Sequence, residues 1–395
     1  MSLRRAVLTC SLLVFFLPVH LAGQRARAPQ EAAGLDLTVD GTGLAIGHIP
    51  RVNGIRINFQ DHYLEEVNGL NLTLWNPRDD VGGTVRGMAL GLVAPTADRL
   101  QGISLGGAAV VADRNITGIG LGGLAVVSTG SSQGIMAGGL ATVSEGPAMG
   151  LHAGGLAAVS NGGSAGITLG GLAVVAGGDM PGLGAGRRGG GALQGIQAGG
   201  LAVVGNRGIR GLSVGGLAVV AGNGDVQGIT LGGLAAVAGE GGMRGIQAGG
   251  LAVVAGDGDL TGLNVGGLAV VAGEGSARGI NLAGLAVVGT ERIQGLNLAG
   301  LALAGDGMID GLSAAGYKIQ AREARWFTAA AWKVEVDEFS GLSVSGWNDH
   351  RVRSRGLSIG ILNRTENLQG VQLGLLNYAG NNARFPWLPL LNAHF

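Results

Sequence analysis

Four consecutive copies of one unit fill the middle of the chain: QGITLGGLAAVAGEGGM (227–243), RGIQAGGLAVVAGDGDL (244–260), TGLNVGGLAVVAGEGSA (261–277) and RGINLAGLAVVGTERI (278–293). The unit reads glycine, apolar, variable, apolar, Gly or Ala, Gly, Leu, Ala, Val, Val, and ends in a small or polar turn. Self-similarity at a fixed short period is the signature of a repeat architecture. The fold is therefore determined by the structure of this unit and by the way that its copies stack.

The repeat extends over most of the chain. Clear copies begin at Gly102, Gly118, Gly134, Gly150, Gly166, Gly195, Gly211, Gly228, Gly245, Gly262, Gly279 and Gly295. Looser copies begin at Gly54, Gly69, Gly87, Gly311, Gly356 and Gly370. Successive clear copies start 16 or 17 residues apart, except for one step of 29 residues that contains an insert at 177–194. We therefore divide the chain into an N-terminal region of degenerate repeats (24–101), the repeat array (102–316) and a C-terminal cap with an aromatic strand and final repeats (317–395).

The composition favours β-structure over the alternatives. Glycine supplies 81 of 395 residues, aromatic residues 4% and charged residues 13%. A helical reading would place several glycines in each turn, and each costs about 1 kcal/mol relative to alanine. There is no Gly-X-Y triplet of the collagen type, and an apolar content of 46% is unlike that of disordered chains. We therefore predict an all-β repeat protein.

The phase of the apolar residues within one copy predicts a β-solenoid. In the copy that starts at Gly262, the first apolar pair is Leu263 and Val265 and the second is Leu268 and Val270. In one straight strand these pairs would face opposite sides. If the intervening Gly-Gly pair forms a bend, both pairs can face one interior, because glycine adopts the backbone angles that a bend needs. Each copy is then one coil, and coils stack about 4.8 Å apart.

This interpretation also assigns the outward positions. The variable site two residues after each opening glycine is predicted to form an outward polar ladder, which includes His152. Its other members are Ser104, Thr168, Gln197, Ser213, Thr230, Gln247, Asn264, Asn281 and Asn297. Ala269, Val271 and their equivalents are predicted to form an outward apolar stripe. Exposed apolar patches of more than a few hundred Å² mark binding surfaces, so we expect the insert, another protein, a second copy or lipid to cover this stripe.

An outer-membrane β-barrel is the alternative architecture. About ten strand residues per unit match the length of a membrane-spanning β-strand, and the chain ends in Phe395 after WLPLLNAHF. However, barrels alternate short and long connections, whereas these connections are nearly equal in length. A wide barrel also requires a polar lumen, where residues such as Leu268 and Val270 would lie. The sequence thus favours the solenoid and keeps the barrel as its rival.

The N-terminus predicts export. Residues 1–23 combine a basic start at Arg4 and Arg5, an apolar core from Ala6 to Leu17 and small residues at the end, as in a secretory signal peptide. The alternative is an uncleaved anchor, although the apolar run is shorter than the roughly 20 residues of a membrane span. The single cysteine, Cys10, lies in this segment. A mature chain without it has no disulfide, no thiolate metal site and no cysteine nucleophile.

Motifs for ligand chemistry are weak. The net charge is zero, so no basic surplus is present to neutralise phosphates, and we expect no nucleic-acid partner. One GxGxxG match is formed by Gly184, Gly186 and Gly189 in the insert, without the surrounding βαβ unit that a dinucleotide site needs. Two turns resemble fragments of calcium-binding repeats and carry Asp225, Asp257 and Asp259. We interpret them as ordinary polar turns.

Candidate catalytic residues are sparse. Asp61, His62, Glu65 and Glu66 form the densest polar cluster, and His350 lies in the aromatic segment Tyr317–Arg355. We interpret that segment as a longer strand or hairpin that caps the array. No HExxH, GxSxG or phosphate-loop motif is present, and a nucleophile needs a positioned base. We therefore predict no catalytic, cofactor-binding or metal-binding residues and no cofactor, and keep an enzyme with a site near His62 or in the aromatic segment as the minor alternative.

The C-terminal stretch GLSIGILNRTENLQGVQLGLLNYAGNNARFPWLPLLNAHF (356–395) resembles a poorly characterised bacterial group, the surface-repeat proteins, and NGLNLTLWNP (68–77) is similar to their N-terminal units. The resemblance covers most of 54–395 and carries no known catalytic or binding residues. The alanine- and valine-rich central copies depart from the glycine-richer units of that group. The resemblance implies an exported envelope protein, at the outer membrane, cell surface or periplasm. We expect a structural or interaction role there, with an envelope protein, a membrane surface or a second copy as partner; the alternative is an outer-membrane barrel channel or scaffold.

Overall fold

The computed structural model describes residues 33–62, 64–75, 81–177 and 191–395. The predicted signal peptide at 1–23, the GxGxxG match and residues 178–190 of the insert lie outside the described residues. Residues from Gly34 onward form one compact unit. The regular structure of the described residues is β-strand throughout, as predicted, and no helix in these ranges has the length and apolarity needed to cross a membrane.

The strands, in chain order, are β1 Ala33–Val39, β2 Thr42–His48, β3 Arg51–Asn58, β4 Glu66–Thr73, β5 Thr84–Gly91, β6 Thr96–Gly106, β7 Ala109–Gly122, β8 Ala125–Ser128, β9 Ser132–Gly138, β10 Ala141–Ser144, β11 Ala148–Gly154, β12 Ala157–Ser160, β13 Ser164–Gly170, β14 Ala173–Ala176, β15 Leu193–Gly199, β16 Ala202–Gly205, β17 Ile209–Gly215, β18 Ala218–Ala221, β19 Val226–Gly232, β20 Ala235–Ala238, β21 Met243–Gly249, β22 Ala252–Ala255, β23 Leu260–Gly266, β24 Ala269–Ala272, β25 Ala277–Ala283, β26 Ala286–Gly289, β27 Arg292–Ala299, β28 Ala302–Ala304, β29 Met308–Ala315, β30 Lys318–Ala379 and β31 Trp387–His394.

Each copy of the repeat is one coil of a parallel β-solenoid. A long strand leads into the Gly-Gly bend, a short strand follows, and a turn returns the chain to the next coil. Strand β23 pairs in parallel with β21 and β25, and Gly262 lies opposite Gly245 and Gly279. The short strand β24 pairs in the same way with β22 and β26. The solenoid has about 16 turns of about 16 residues, which confirms the predicted fold and excludes the barrel, whose neighbouring strands run antiparallel.

The long strand faces the opposite way from the prediction. In β23, Leu260 and Asn264 are buried, whereas Leu263 and Val265 point outward and are partly exposed. The prediction began the strand at Gly262, but the strand begins two residues earlier, at Leu260. An apolar residue two positions before the glycine fills the interior, and alternation then places the variable site inside. The predicted outward polar ladder is therefore an inward one.

The short strand was predicted correctly in part. Val270 and Ala272 are buried and Ala269 and Val271 are partly exposed, so the second strand has the expected phase. Leu268, however, lies in the bend before this strand and is 45% exposed. Its predicted inward position was wrong because the bend separates it from the alternation of β24.

The inward polar ladder is stabilised by hydrogen bonds between coils. The Asn264 Nδ2 donates to the Asn281 Oδ1 at 2.8 Å, and the Asn281 Nδ2 donates to the Asn297 Oδ1 at 2.8 Å. The Asn297 Nδ2 then donates to the Ser313 Oγ at 3.2 Å. Identical amides stacked at the strand spacing satisfy one another, as in amide ladders of stacked sheets. Buried polar groups with such partners are tolerated, whereas unpaired ones are costly.

The opening glycines form a column that the coil spacing requires. Gly262 has a φ of 116°, and a Cβ added there would lie well inside van der Waals contact of the Gly245 carbonyl oxygen. The same relation joins Gly341, Gly356 and Gly370 near the C-terminus. At one rung the column residue is Trp326, with a φ of 75°. Only glycine adopts such angles without strain, which explains why the residue recurs at this position.

Both ends of the parallel array carry an additional strand. At the N-terminal end, β1 and β2 are paired and joined by Asp40 and Gly41, whose φ angles of 52° and 74° are those of a type I′ hairpin turn. At the C-terminal end, β31 pairs antiparallel with β30. The start of the aromatic segment instead pairs in parallel with β28 and β29. The coils thus continue into this segment, which belongs to the long strand β30, so the longer strand is observed and not the alternative hairpin.

Candidate functional site

In the twelve clear copies, charge is confined to one edge of the coil. In all twelve clear copies, the eleven residues that begin at the opening glycine contain no Asp, Glu, Lys or Arg. The charges lie in the returning turn, as at Asp225, Glu240 and Glu274, or just before the glycine, as at Arg244 and Arg278. The rest of each coil is uncharged, and stacking repeats this division along the array.

The apolar corner is the outward surface formed by the residues one, three and six positions after each opening glycine. In the coil of Gly262 these residues are Leu263, Val265 and Leu268. The sixth-position column is a ladder of leucines, each close to half exposed: Leu140, Leu156, Leu172, Leu201, Leu217, Leu234, Leu251, Leu268 and Leu285. The first-position column is a ladder of isoleucine and leucine with similar exposure, as at Ile229 and Ile246. Continuous apolar surfaces of this size are uncommon on soluble monomers, which makes the apolar corner the candidate functional site.

A groove runs along the apolar corner, lined by the third-position column and the bend residues. One stretch of about 940 Å³ extends from Leu72 to Leu169, and a second of about 460 Å³ extends from Val265 to Gly316. The Gly-Gly bends form its floor. A Cβ added to the second bend glycine, such as Gly139, would overlap the Gly123 carbonyl oxygen of the previous coil. The stacking of coils therefore excludes side chains from the floor and keeps the groove open.

The outward position predicted for His152 was wrong, because His152 lies inside the coil. Its Nε2 is 3.3 Å from the Ser132 Oγ, and both residues are 4% exposed. Burial lowers the pKa of His152 to about 4, so the ring is neutral near pH 7. The Ser132 hydroxyl also bonds to Ser144 at 3.2 Å. His152 is thus a member of the interior polar ladder, and Ser132 occupies the buried position two residues before Gly134.

The cluster around Asp61 is a buried ion pair at the N-terminal end of the interior. The Arg56 Nη1 donates to the Asp61 Oδ1 at 2.8 Å, and both side chains are fully buried. Asn58 and Asn71 also donate to Asp61, and the Thr73 hydroxyl donates to its Oδ2 at 2.6 Å. Burial lowers the pKa of Arg56, and Asp61 opposes this effect. Arg56 occupies the variable site after Gly54, so this network extends the inward ladder.

The acidic neighbours of this cluster point outward. Glu65 pairs with Arg51 at 2.6 Å, and Glu66 pairs with Arg86 on the next coil. All four side chains are at least 40% exposed. Exposed pairs of this kind contribute about 0–1 kcal/mol each. The structure therefore does not bring Glu65 and Glu66 together with Asp61 in one site.

His350 and Asp349 have separate partners. The His350 Nδ1 lies 2.8 Å from the Ser354 Oγ, and the ring stacks on Phe339 with centroids 4.5 Å apart. Burial lowers the pKa of His350 to about 3. Asp349 instead pairs with Lys333 at 2.9 Å. These contacts fit a packed, neutral histidine beside an ion pair between Lys333 and Asp349.

The aspartates of the glycine-rich turns bond to the backbone of the next coil. The Asp225 Oδ1 accepts the Gly242 amide at 3.0 Å, and the Asp259 Oδ1 accepts the Ser276 amide at 2.8 Å. Asp259 also lies 3.5 Å from Arg278. Among the described residues, no group of three or more His, Cys, Asp or Glu side chains is placed to hold a metal ion. These aspartates connect successive turns.

The apolar corner is the surface that sequence reasoning missed. Two signals could have found it: the apolar residue two positions before ten of the twelve clear opening glycines, which fills the interior, and the leucine that follows nearly every Gly-Gly pair. No protein-family model, curated protein or solved structure matches this chain.

Proposed function

We propose that this protein is an exported structural or interaction protein of the cell envelope, at the outer membrane or cell surface, and that it acts through the apolar corner without catalysis. The observation that carries the proposal is the corner itself. It combines three exposed aliphatic columns with an absence of charge in twelve successive copies. A surface of this size on a β-array is suited to binding a partner along its length.

The surroundings of Asp61 and of two buried histidines support a non-catalytic role. Asp61 is bound by Arg56 and three further donors. His152 and His350 are buried and neutral near pH 7, because burial lowers the pKa of each. A general base needs access to substrate and a pKa near the working pH. These histidines instead fit the packing of the interior.

The predicted signal peptide at 1–23 and the resemblance of 356–395 to bacterial surface-repeat proteins support the proposed location. The experiment is fractionation of cells that express the full-length chain or a variant without residues 1–23. We expect the full-length chain in the envelope fraction and the truncated chain in the cytoplasm. Recovery of the full-length chain in the cytoplasm would contradict export.

The role of the apolar corner is tested in the same assay with a pair of charge variants. Leu217→Glu/Leu251→Glu places two carboxylates on the corner, whereas Gln133→Glu/Gln194→Glu places two on the polar column just before the glycines. We expect the leucine variant to lose most of its envelope retention and the glutamine variant to keep it. Equal retention of both variants would contradict a role for the corner.

A further inference from the structure

We infer that the apolar corner is covered by a second copy of this chain. The inference rests on the proposed function, since it names the partner of the same surface. Large uncovered apolar surfaces are rare on soluble proteins and mark interfaces. The corner of one copy offers area, periodicity and charge that match those of another copy.

The area is sufficient for a stable dimer. Twelve coils at a spacing of about 4.8 Å extend for about 58 Å. The chain from the first to the sixth position after the glycine is about 16 Å long at about 3.3 Å per residue. The corner therefore presents roughly 900 Å² per copy, and stable complexes bury about 800 Å² per partner.

The periodicity of the surface is self-complementary. Each corner carries a ridge, the first-position isoleucine and leucine ladder, and a groove along the third-position column and the bends. Both repeat at the strand spacing, so the ridge of one copy meets the groove of another with the same period. A two-fold axis would use the same patch on both copies, which is the commonest symmetry of dimers. A partner without this period would leave gaps along the groove.

Charge and composition disfavour a lipid surface. Residues 102–316 contain no Phe, Trp or Tyr, whereas aromatic side chains are enriched at membrane interfaces. The same stretch contains eight arginines, no lysine and eleven acidic residues, a net charge of −3. Anionic lipid attracts basic segments and would repel this array. A second copy avoids this repulsion if the corners meet and the charged turns stay in water.

The experiment is sedimentation velocity of the purified full-length chain in detergent-free buffer. We expect twice the monomer mass for the wild type. Leu217→Glu/Leu251→Glu is expected to sediment as a monomer, because two carboxylates per copy would be buried without partners. Each leucine is 46% exposed in one copy, so the monomer has room to solvate the new charges. Gln133→Glu/Gln194→Glu, the matched control, is expected to stay dimeric.

A second double variant, which introduces no charge, tests the inference if the leucine variant does not fold. Ile229→Ser/Ile246→Ser removes apolar area from the ridge without adding charge, and we expect its dimer dissociation constant to rise at least tenfold. A monomeric wild type, or a dimer that neither variant weakens, would overturn the inference. Flotation of a monomeric wild type with phosphatidylcholine vesicles would also overturn it, in favour of lipid. The fractionation assay would still show envelope retention under these outcomes. The dimer inference can therefore fail while the proposed function stands.

Discussion

Polar side chains fill part of this interior, and several of them have hydrogen-bond partners there, in the same coil or in the next one. Asn264, Asn281 and Asn297 bond to one another, and Arg56 bonds to Asp61. At the strand spacing, identical residues in register present a donor to an acceptor at every step. The interior therefore depends on register as well as on hydrophobicity, since a slip would leave these groups unpaired.

The Arg56–Asp61 pair offers a test at the scale of single residues. Asp61→Ala leaves the fully buried Arg56 without its carboxylate, and we expect the free energy of unfolding to fall by about 3–5 kcal/mol. Urea denaturation followed by circular dichroism measures the loss. The double variant Arg56→Met/Asp61→Leu removes both charges and is expected to recover much of it. A single variant as stable as the wild type would show that the pair does not contribute.

His152 predicts a loss of stability in acid. Its pKa is about 4 in the folded chain, below the ordinary value of 6.5. The unfolded chain therefore takes up a proton as the pH falls through 6.5, whereas the folded chain does not until about pH 4. Above about pH 6.5 this group does not reduce the free energy of unfolding. Between pH 6.5 and about pH 4, its protonation in the unfolded chain lowers the free energy of unfolding by about 1.4 kcal/mol per pH unit.

The measurement is the urea midpoint of wild type and His152→Thr between pH 7.5 and 4.5. Threonine occupies the same site in the neighbouring coil, at Thr168. We expect a shallower pH dependence in the variant, and a residual slope from the buried His350. If the urea midpoints of the two proteins had the same pH dependence, His152 would not be the group that takes up the proton.

At the scale of the strand and coil, the sequence predicted the period, the parallel stacking and the bend, but not which face of the long strand is buried. The stacking could be predicted because the opening glycine recurs at a fixed spacing in the amino-acid sequence. The facing of Leu263 and Asn264 depends on where the strand begins, and both phases place apolar residues inside. Only the pairing of Asn264 with Asn281 makes the polar phase favourable, and that contact depends on the register of two coils.

The opening glycines give a test at this scale. Gly262→Ala places a Cβ against the Gly245 carbonyl oxygen at a φ of 116°. Both the overlap and the backbone strain oppose it, and we expect a loss of at least 2 kcal/mol in the free energy of unfolding. Gly177→Ala is the control, because among the described residues its Cβ meets only the Asn161 side-chain oxygen, at 3.1 Å. Equal effects of the two substitutions would contradict the account of the glycine column.

At the scale of the compact unit from Gly34 onward, the stacked coils of the array align their charged turns along one edge and their aliphatic side chains along the apolar corner. The sequence indicated an exposed apolar stripe, but placed it on the alanine and valine of the short strand. Locating the larger corner requires the phase of the long strand, which the apolar residue two positions before most opening glycines indicates. His152 was predicted to face outward for the same reason, because the long strand was assigned the opposite phase.

The most direct test of this account compares two adjacent residues of one strand. Lysine is introduced at Asn264 or at Leu263, and the urea midpoint is measured at low protein concentration. We expect Asn264→Lys to lose several kcal/mol or to fail to fold, because it buries an unpaired charge in the ladder. Leu263→Lys, which points outward, is expected to stay within about 1 kcal/mol of the wild type. The reverse order, or an equal loss, would contradict the inward polar ladder and the apolar corner together.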